Sequence, residues 1–152
     1  MKTIITYGTF DMFHIGHLNL IKRLRDLGDK VIVAVSTDEF NESKGKKCLI
    51  PFEHRIEIVK NIVGVDIVIA ENDWGQKVSD IVKYNVDIFV MGDDWKGKFD
   101  DLSSYCQVMY LPRTDGVSTT YLKSILSNVS PSLKEDIEKS FKILESIRNS
   151  LT

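Results

Sequence analysis

Val31-Ile32-Val33-Ala34-Val35 is an unbroken apolar run, β-branched at four of its five positions. A strand without polar alternation has to be covered on both faces, and a parallel sheet flanked by helices does that. Ile67-Val68-Ile69-Ala70, Ile88-Phe89-Val90-Met91 and Val108-Met109-Tyr110-Leu111 repeat the character, and Thr3-Ile4-Ile5-Thr6-Tyr7 supplies a fifth run near the start of the chain. Helical stripes lie between them: Leu18, Leu20, Ile21, Leu24 and Leu27 first, then about Phe52 to Ile62 and Gln76 to Tyr84. Strands alternating with helices predict an α/β fold, a doubly wound parallel sheet of about five strands.

In such sheets ligands bind at the carboxyl ends of the strands, near a topological switch point. The polar, Gly-rich segments fall at those ends: Gly8 to His17 after the first strand, Ser36-Thr37-Asp38 after the second, Glu71 to Trp74 after the third, Gly92-Asp93-Asp94-Trp95 after the fourth and Pro112-Arg113-Thr114-Asp115-Gly116 after the fifth. Taken singly, Asp93, Gly97 or Pro112 needs no role beyond making a turn. The first segment differs, because it brings His14 and His17 to a helix N-terminus. Unpaired N–H groups and about half a positive charge favour phosphate there, and residues three apart share a face. His-x-x-His is also half of a zinc site or simply a polar turn, yet Cys48 and Cys106 have no partner at ligand spacing.

Val117-Ser118-Thr119-Thr120 opens another helix with Ser118 as its N-cap, and Pro131 starts a last one. On that last helix Leu133, Ile137, Phe141, Leu144 and Leu151 make an apolar stripe. The chain thus divides into an α/β sheet domain over 1–129 and a helical extension over 130–152, packed on the domain or at a dimer interface. With 152 residues, 43% apolar and 28% charged, it has enough chain for one full core. No apolar run reaches the roughly 20 residues of a membrane span and no signal peptide opens the chain, so a cytoplasmic protein without membrane insertion is expected. Two cysteines fit a reducing compartment, with a single disulfide left open. A net charge of −2 argues against a nonspecific nucleic-acid binder.

Gly8-Thr9-Phe10-Asp11 with His14-Ile15-Gly16-His17, Ser36 to Phe40, Glu53-His54-Arg55, Phe89 to Trp95 and Tyr110 to Thr120 together resemble the cytidylyltransferase family of the HxGH nucleotidyltransferases, in its bacterial glycerol-3-phosphate branch. The likeness covers roughly Met1 to Leu126. It implies a Rossmann-like sheet, a homodimer, a Mg²⁺ requirement and transfer of a cytidylyl group from CTP to glycerol 3-phosphate. The products would be pyrophosphate and CDP-glycerol, a precursor of teichoic acid or related surface polymers. By the same resemblance Gly8, Thr9, Phe10, His14, Ile15, Gly16, His17, Lys46, Asp94, Arg113, Thr114, Gly116, Val117, Ser118, Thr119 and Thr120 would hold CTP. Lys44 and Lys77 would meet the acceptor phosphate. Val63 stands where the branch is expected to carry arginine, and the last helix is additional, so another phospho-alcohol also fits.

The residues suit that chemistry. A phosphate monoester with a second pKa near 6 is mostly dianionic at neutral pH and attacks the α-phosphorus without losing a proton. The difficulty is repulsion between CTP, about −4, and an acceptor of about −2. Mg²⁺ on the triphosphate, Lys44, Lys46, Lys77, Arg113, the two histidines and helix N-termini can offset it, with His14 and His17 donating to the α-phosphate and the bridging oxygen. Lys44-Gly45-Lys46-Lys47 reads as a mobile basic loop or a solvated turn. Arg55 stabilises the closed site, reaches a phosphate, or lies on the surface as amphipathic-helix arginines do. Trp74 and Trp95 wall a substrate pocket or cover the edge of the core. Asp94 reads the cytosine amino group or orients its loop, and Asp11 holds metal or fixes the turn. Two other functions fit the same residues: an enzyme of this fold using another nucleotide or acceptor, and a nucleotide-binding regulatory module without turnover.

Overall fold

The five apolar runs become β1 (Thr3–Gly8), β2 (Lys30–Ser36), β3 (Ile67–Glu71), β4 (Ile88–Gly92) and β5 (Gln107–Leu111), each within two residues of its expected bounds. In the computed structural model, which describes residues 1–127 and 131–151, they pair in parallel in the order β3-β2-β1-β4-β5. Chain order reverses at β1, which lies between β2 and β4, so the end of β1 is the switch point where an α/β sheet opens a crevice.

Alternation along each strand builds two cores. Ile5, Tyr7, Ile32, Ala34, Phe89 and Met91 face one side with Ile81, while Ile4, Val31, Val33, Val35, Ile88 and Val90 face the other with Leu24 and Val59. Val31 to Val35 are wholly buried, as an unbroken run requires, and each such aliphatic side chain contributes about 1.5–3 kcal/mol. The helices are α1 (Ile15–Leu27), α2 (Asp38–Ser43), α3 (Phe52–Lys60), α4 (Gln76–Lys83), α5 (Thr119–Ser127) and α6 (Pro131–Ser150). The sequence reading missed α2, which is too short for periodicity to register. Its signals are local: the Thr37 hydroxyl accepts from Phe40 N at 3.2 Å, and Asp38 and Glu39 occupy the first turn, where the helix dipole favours acids.

The chain forms two compact units, Met1–Val117 and Ser118–Thr152. Within the second, the Ser118 hydroxyl accepts from Tyr121 N at 3.0 Å and caps α5 as expected. Lys139 and Glu135 pair at 3.0 Å along α6.

Arg55 is the main departure from expectation. It is 1% exposed rather than on the surface, and its guanidinium donates to acceptors of the protein itself. Its Nε donates to Ile50 O at 2.9 Å, its Nη1 to Thr9 O at 2.7 Å and Ser36 O at 2.8 Å, and its Nη2 to Asp38 Oδ1 at 2.7 Å. One guanidinium thereby ties the ends of β1 and β2 to the segment leading into α3. Phe52 N and then Arg55 hold the Asp38 carboxyl below the usual carboxylate range. Asp11, 1% exposed, acts in parallel: its oxygens accept from Leu49 N at 2.8 Å and Ile50 N at 2.9 Å. Replacing Arg55 with Met strands three carbonyls and a carboxylate, so urea unfolding should register a loss of about 3–5 kcal/mol; a loss below about 1 kcal/mol would show the clasp to be dispensable.

Candidate active site

The turn from β1 to α1 is under strain. Phe10 (φ 54°) and Met12 (φ 51°) both take the left-handed conformation, which costs non-glycine residues on the order of 1–3 kcal/mol and tends to mark functional turns. The side chain of Phe10 is folded back, and a Cβ at Gly8 would stand 2.9 Å from its ring. His14 folds back in the same manner. Its Nδ1 accepts from Gly16 N at 3.0 Å, and a Cβ at Gly16 would lie 2.8 Å from His14 Cε1. His17 Nδ1 in turn accepts from His14 N at 3.2 Å, completing a capping box made of two imidazoles whose rings stack at 3.9 Å.

This arrangement fixes the chemistry of both rings. With Nδ1 accepting, each neutral imidazole carries its proton on Nε2, the atom it can offer to a ligand. Burial lowers the pKa of His14. It takes His17 down to about 4, helped by His14 and Arg113 and opposed by Asp11, with Phe10 and Phe13 rings 5.3 and 5.4 Å from the His17 ring. At neutral pH the pair is therefore a set of uncharged N–H donors at a helix N-terminus. Positive charge comes from elsewhere.

One source is the pair of lysines just beyond the C-terminus of α2. Lys44 Nζ lies 4.2 Å from the centre of the Phe40 ring and 5.3 Å from that of Trp74, and Lys46 Nζ lies 5.9 Å from that of Trp95. Partial burial, with Lys46 and Lys77 nearby, lowers the pKa of Lys44. Phe40, Trp74 and Trp95 form a continuous aromatic wall with centroids 5.4 and 5.9 Å apart. Lys44, Lys46, Trp74, Trp95, Tyr7, Gly8 and Thr9 line a cavity of about 90 Å³, floored by Ser36, Glu71, Lys77 and Met91. It has room for several waters or a small polar group.

On the other flank, Arg113 and Asp94 pair across the ends of β5 and β4 at 2.6 Å, both substantially exposed. Such a pair contributes under about 1 kcal/mol, so a phosphate can displace the carboxylate at little cost. A Cβ at Gly92 would meet Asp94 Oδ1 at 2.8 Å, so the glycine lets that carboxylate turn toward Arg113. Thr114 Oγ1 accepts from Asn19 of α1 at 3.2 Å, tying this loop to the histidine helix.

The sheet thus gathers Gly8, Thr9, Lys44, Lys46, Trp74, Lys77 and Trp95 around one cavity, while Asp94 and Arg113 form an ion pair at the ends of β4 and β5; Phe10, His14 and His17 are not among the residues that line the cavity. Ser118, Thr119 and Thr120 belong to the second unit. Val63 is 95% exposed and does not line the cavity. Both oxygens of Asp11 accept backbone N–H groups, which fixes the turn, and among the described residues no three His, Cys, Asp or Glu gather as a metal site. Cys48 and Cys106 are thiols rather than halves of a disulfide. The sequence reading missed Glu71 and Ser36 as site residues and the wholly buried Asn41, whose Oδ1 accepts from the Thr9 hydroxyl at 3.2 Å. The only signal for Ser36 and Glu71 was position at the ends of predicted strands, and Asn41 lies in α2, which the sequence pattern did not show.

His17 resists protonation in the folded protein, so its contribution to stability is complete above about pH 6.5 and is lost as pH falls toward 4. Between pH 7 and pH 4.5 this amounts to about 2–3 kcal/mol, to be read as the difference in acid sensitivity of urea midpoints between the wild type and His17→Gln; identical sensitivities would rule it out.

Comparison with known proteins agrees with this geometry. The cytidylyltransferase-like family model matches residues 5–127, which leaves α6 outside it. A glycerol-3-phosphate cytidylyltransferase from Bacillus spizizenii is 56% identical over 129 residues, covering 85% of this chain and 100% of that protein. Namesakes from Bacillus subtilis and Staphylococcus aureus are 54% and 52% identical, covering 85% and 83% of this chain and 100% and 96% of theirs. Among solved structures, a lipopolysaccharide core biosynthesis protein from Thermoplasma volcanium has a TM-score of 0.66 at 24% identity, covering 76% of this chain and 99% of its own, and shares the fold. The match over the strands, the histidine turn and the ends of β4 and β5 shows that the chain belongs to the cytidylyltransferase-like family.

Proposed function

We propose that the protein transfers a cytidylyl group from CTP to glycerol 3-phosphate, releasing pyrophosphate and CDP-glycerol for teichoic-acid or related polymer synthesis. The observation that carries this reading is a lysine-flanked cavity at the switch point, with the two-histidine cap of α1 on the turn that follows the same strand, in a chain 56% identical to a glycerol-3-phosphate cytidylyltransferase.

CTP enters as its divalent-cation complex, with Mg²⁺ carried by the triphosphate as part of the substrate. Gly8 to His17, Lys46, Asp94 and Arg113 to Thr120 are the residues proposed to hold it. Arg113 exchanges Asp94 for a phosphate oxygen, which leaves that carboxylate to face the cytosine amino group. The acceptor enters past Lys44 with Trp74 as one wall. An oxygen of its dianionic phosphate attacks the α-phosphorus in line, and the bond from that phosphorus to the α–β bridging oxygen breaks. His14 and His17 Nε2–H donate to the α-phosphate and the bridging oxygen as charge develops there, each donor worth roughly 3–4 kcal/mol in the transition state. The family domain is taken as 1–129 with 130–152 as an extension, the assembly as a homodimer and the compartment as the reducing cytoplasm that the thiols of Cys48 and Cys106 suit.

Pyrophosphate release with Mg²⁺ and CTP, run against glycerol 3-phosphate, ethanolamine phosphate, choline phosphate, sugar phosphates and water, tests the reading. Selective release with glycerol 3-phosphate is expected; a different acceptor keeps the chemistry and replaces the substrate, and silence across the panel, with ATP also tried, sinks the enzyme reading. His17→Ala should lower kcat by about 10²- to 10³-fold with its fold intact by circular dichroism. A drop under fivefold would remove His17 from the mechanism.

A further inference from the structure

The floor of the cavity holds a buried ion pair. Glu71, the last residue of β3, and Lys77, in the first turn of α4, are 4% and 3% exposed, with Lys77 Nζ donating to Glu71 Oε2 at 2.8 Å. The Ser36 hydroxyl donates to the other carboxylate oxygen at 2.6 Å. The ammonium also lies 4.6, 5.2 and 5.3 Å from the ring centres of Tyr7, Trp74 and Phe99.

A carboxylate beside several aromatic faces is the chemistry that captures a small organic cation. In this cavity the cation position is already taken by the protein's own lysine. The floor is consequently neutral overall and rich in donors and acceptors, which suits hydroxyl groups and repels an incoming ammonium.

Resting on the phospho-alcohol reading above, we propose that the Glu71–Lys77 pair determines acceptor specificity: it hydrogen-bonds the hydroxyl end of a neutral polyol phosphate, and Lys77 fills the aromatic-carboxylate cage that would otherwise admit ammonium alcohols. The role differs from that of a lysine serving only the acceptor phosphate. A phosphate contact is shared by every acceptor, so its loss weakens all of them alike, whereas a filled cage acts on the alcohol end alone.

The test compares kcat/KM for glycerol 3-phosphate, ethanolamine phosphate and choline phosphate in the wild type and in Lys77→Met, which keeps length and removes charge. The ratio of glycerol 3-phosphate to the ammonium acceptors is expected to fall at least 100-fold, with ammonium-acceptor turnover rising in absolute terms. A proportional loss for every acceptor overturns the proposal in favour of a phosphate contact. Removing one partner of a buried pair is destabilising, so the double variant Glu71→Gln/Lys77→Met, which removes both charges at little change in volume, provides a second reading. In it the KM for glycerol 3-phosphate should rise at least tenfold while the KM for CTP stays within twofold; unchanged KM values for both would make the pair purely structural and overturn the proposal. Failure of the functional reading looks different, since the wild type itself would then release no pyrophosphate with any phospho-alcohol.

Discussion

Everything distinctive about the site hangs on backbone carbonyls at the ends of β1 and β2, and one buried guanidinium satisfies them. A parallel strand that ends in a functional turn leaves carbonyls pointing out of the sheet with no ladder partner, and burying them unpaired is costly. Arg55 reaches Thr9 O, Ser36 O and Ile50 O at once, and its charge is balanced by Asp38. With Asp11 gripping Leu49 N and Ile50 N, the chain from Lys44 to Pro51 is anchored at its far end while Gly45, at φ 73°, turns near its exposed start. The lysines therefore sit on a segment that is open at their end and fixed where it joins the core.

The division of labour between uncharged and charged groups follows from burial. The His17 ring is pressed against Phe10 and Phe13, and desolvation keeps both imidazoles neutral, so what they can offer is directed N–H groups. Cations are kept at the rim, on Lys44, Lys46 and Arg113, where water lowers the cost of holding them apart from an anion before it arrives. Lys77 is the exception, and it is buried only because Glu71 is buried with it. A protein of net charge −2 can bind a polyanion in this way, since the attraction is local.

The sheet was legible because its signal is redundant: five apolar runs, each spread over several residues, survive an error at any one of them. The histidine turn was legible because a rare residue type recurs at a spacing with a geometric meaning. Arg55 was not, because an arginine early in an amphipathic helix has the same local pattern whether it faces solvent or carbonyls from strands far away in sequence. Asp11 was ambiguous for the same reason; its partners, Leu49 N and Ile50 N, belong to backbone that no side-chain pattern reports. The pairing of Glu71 with Lys77 joins a strand end to a helix start, and sequence gives each residue its place without showing that they meet.

His14 and Gly16 illustrate a wider consequence. Because the imidazole at 14 occupies the space that a methyl at 16 would need, the two positions are not independent choices. An alanine at 16 makes the ring at 14 move, whereas with a small residue at 14 the same alanine meets no ring. Substitutions at these two sites are therefore coupled, each setting what the other costs.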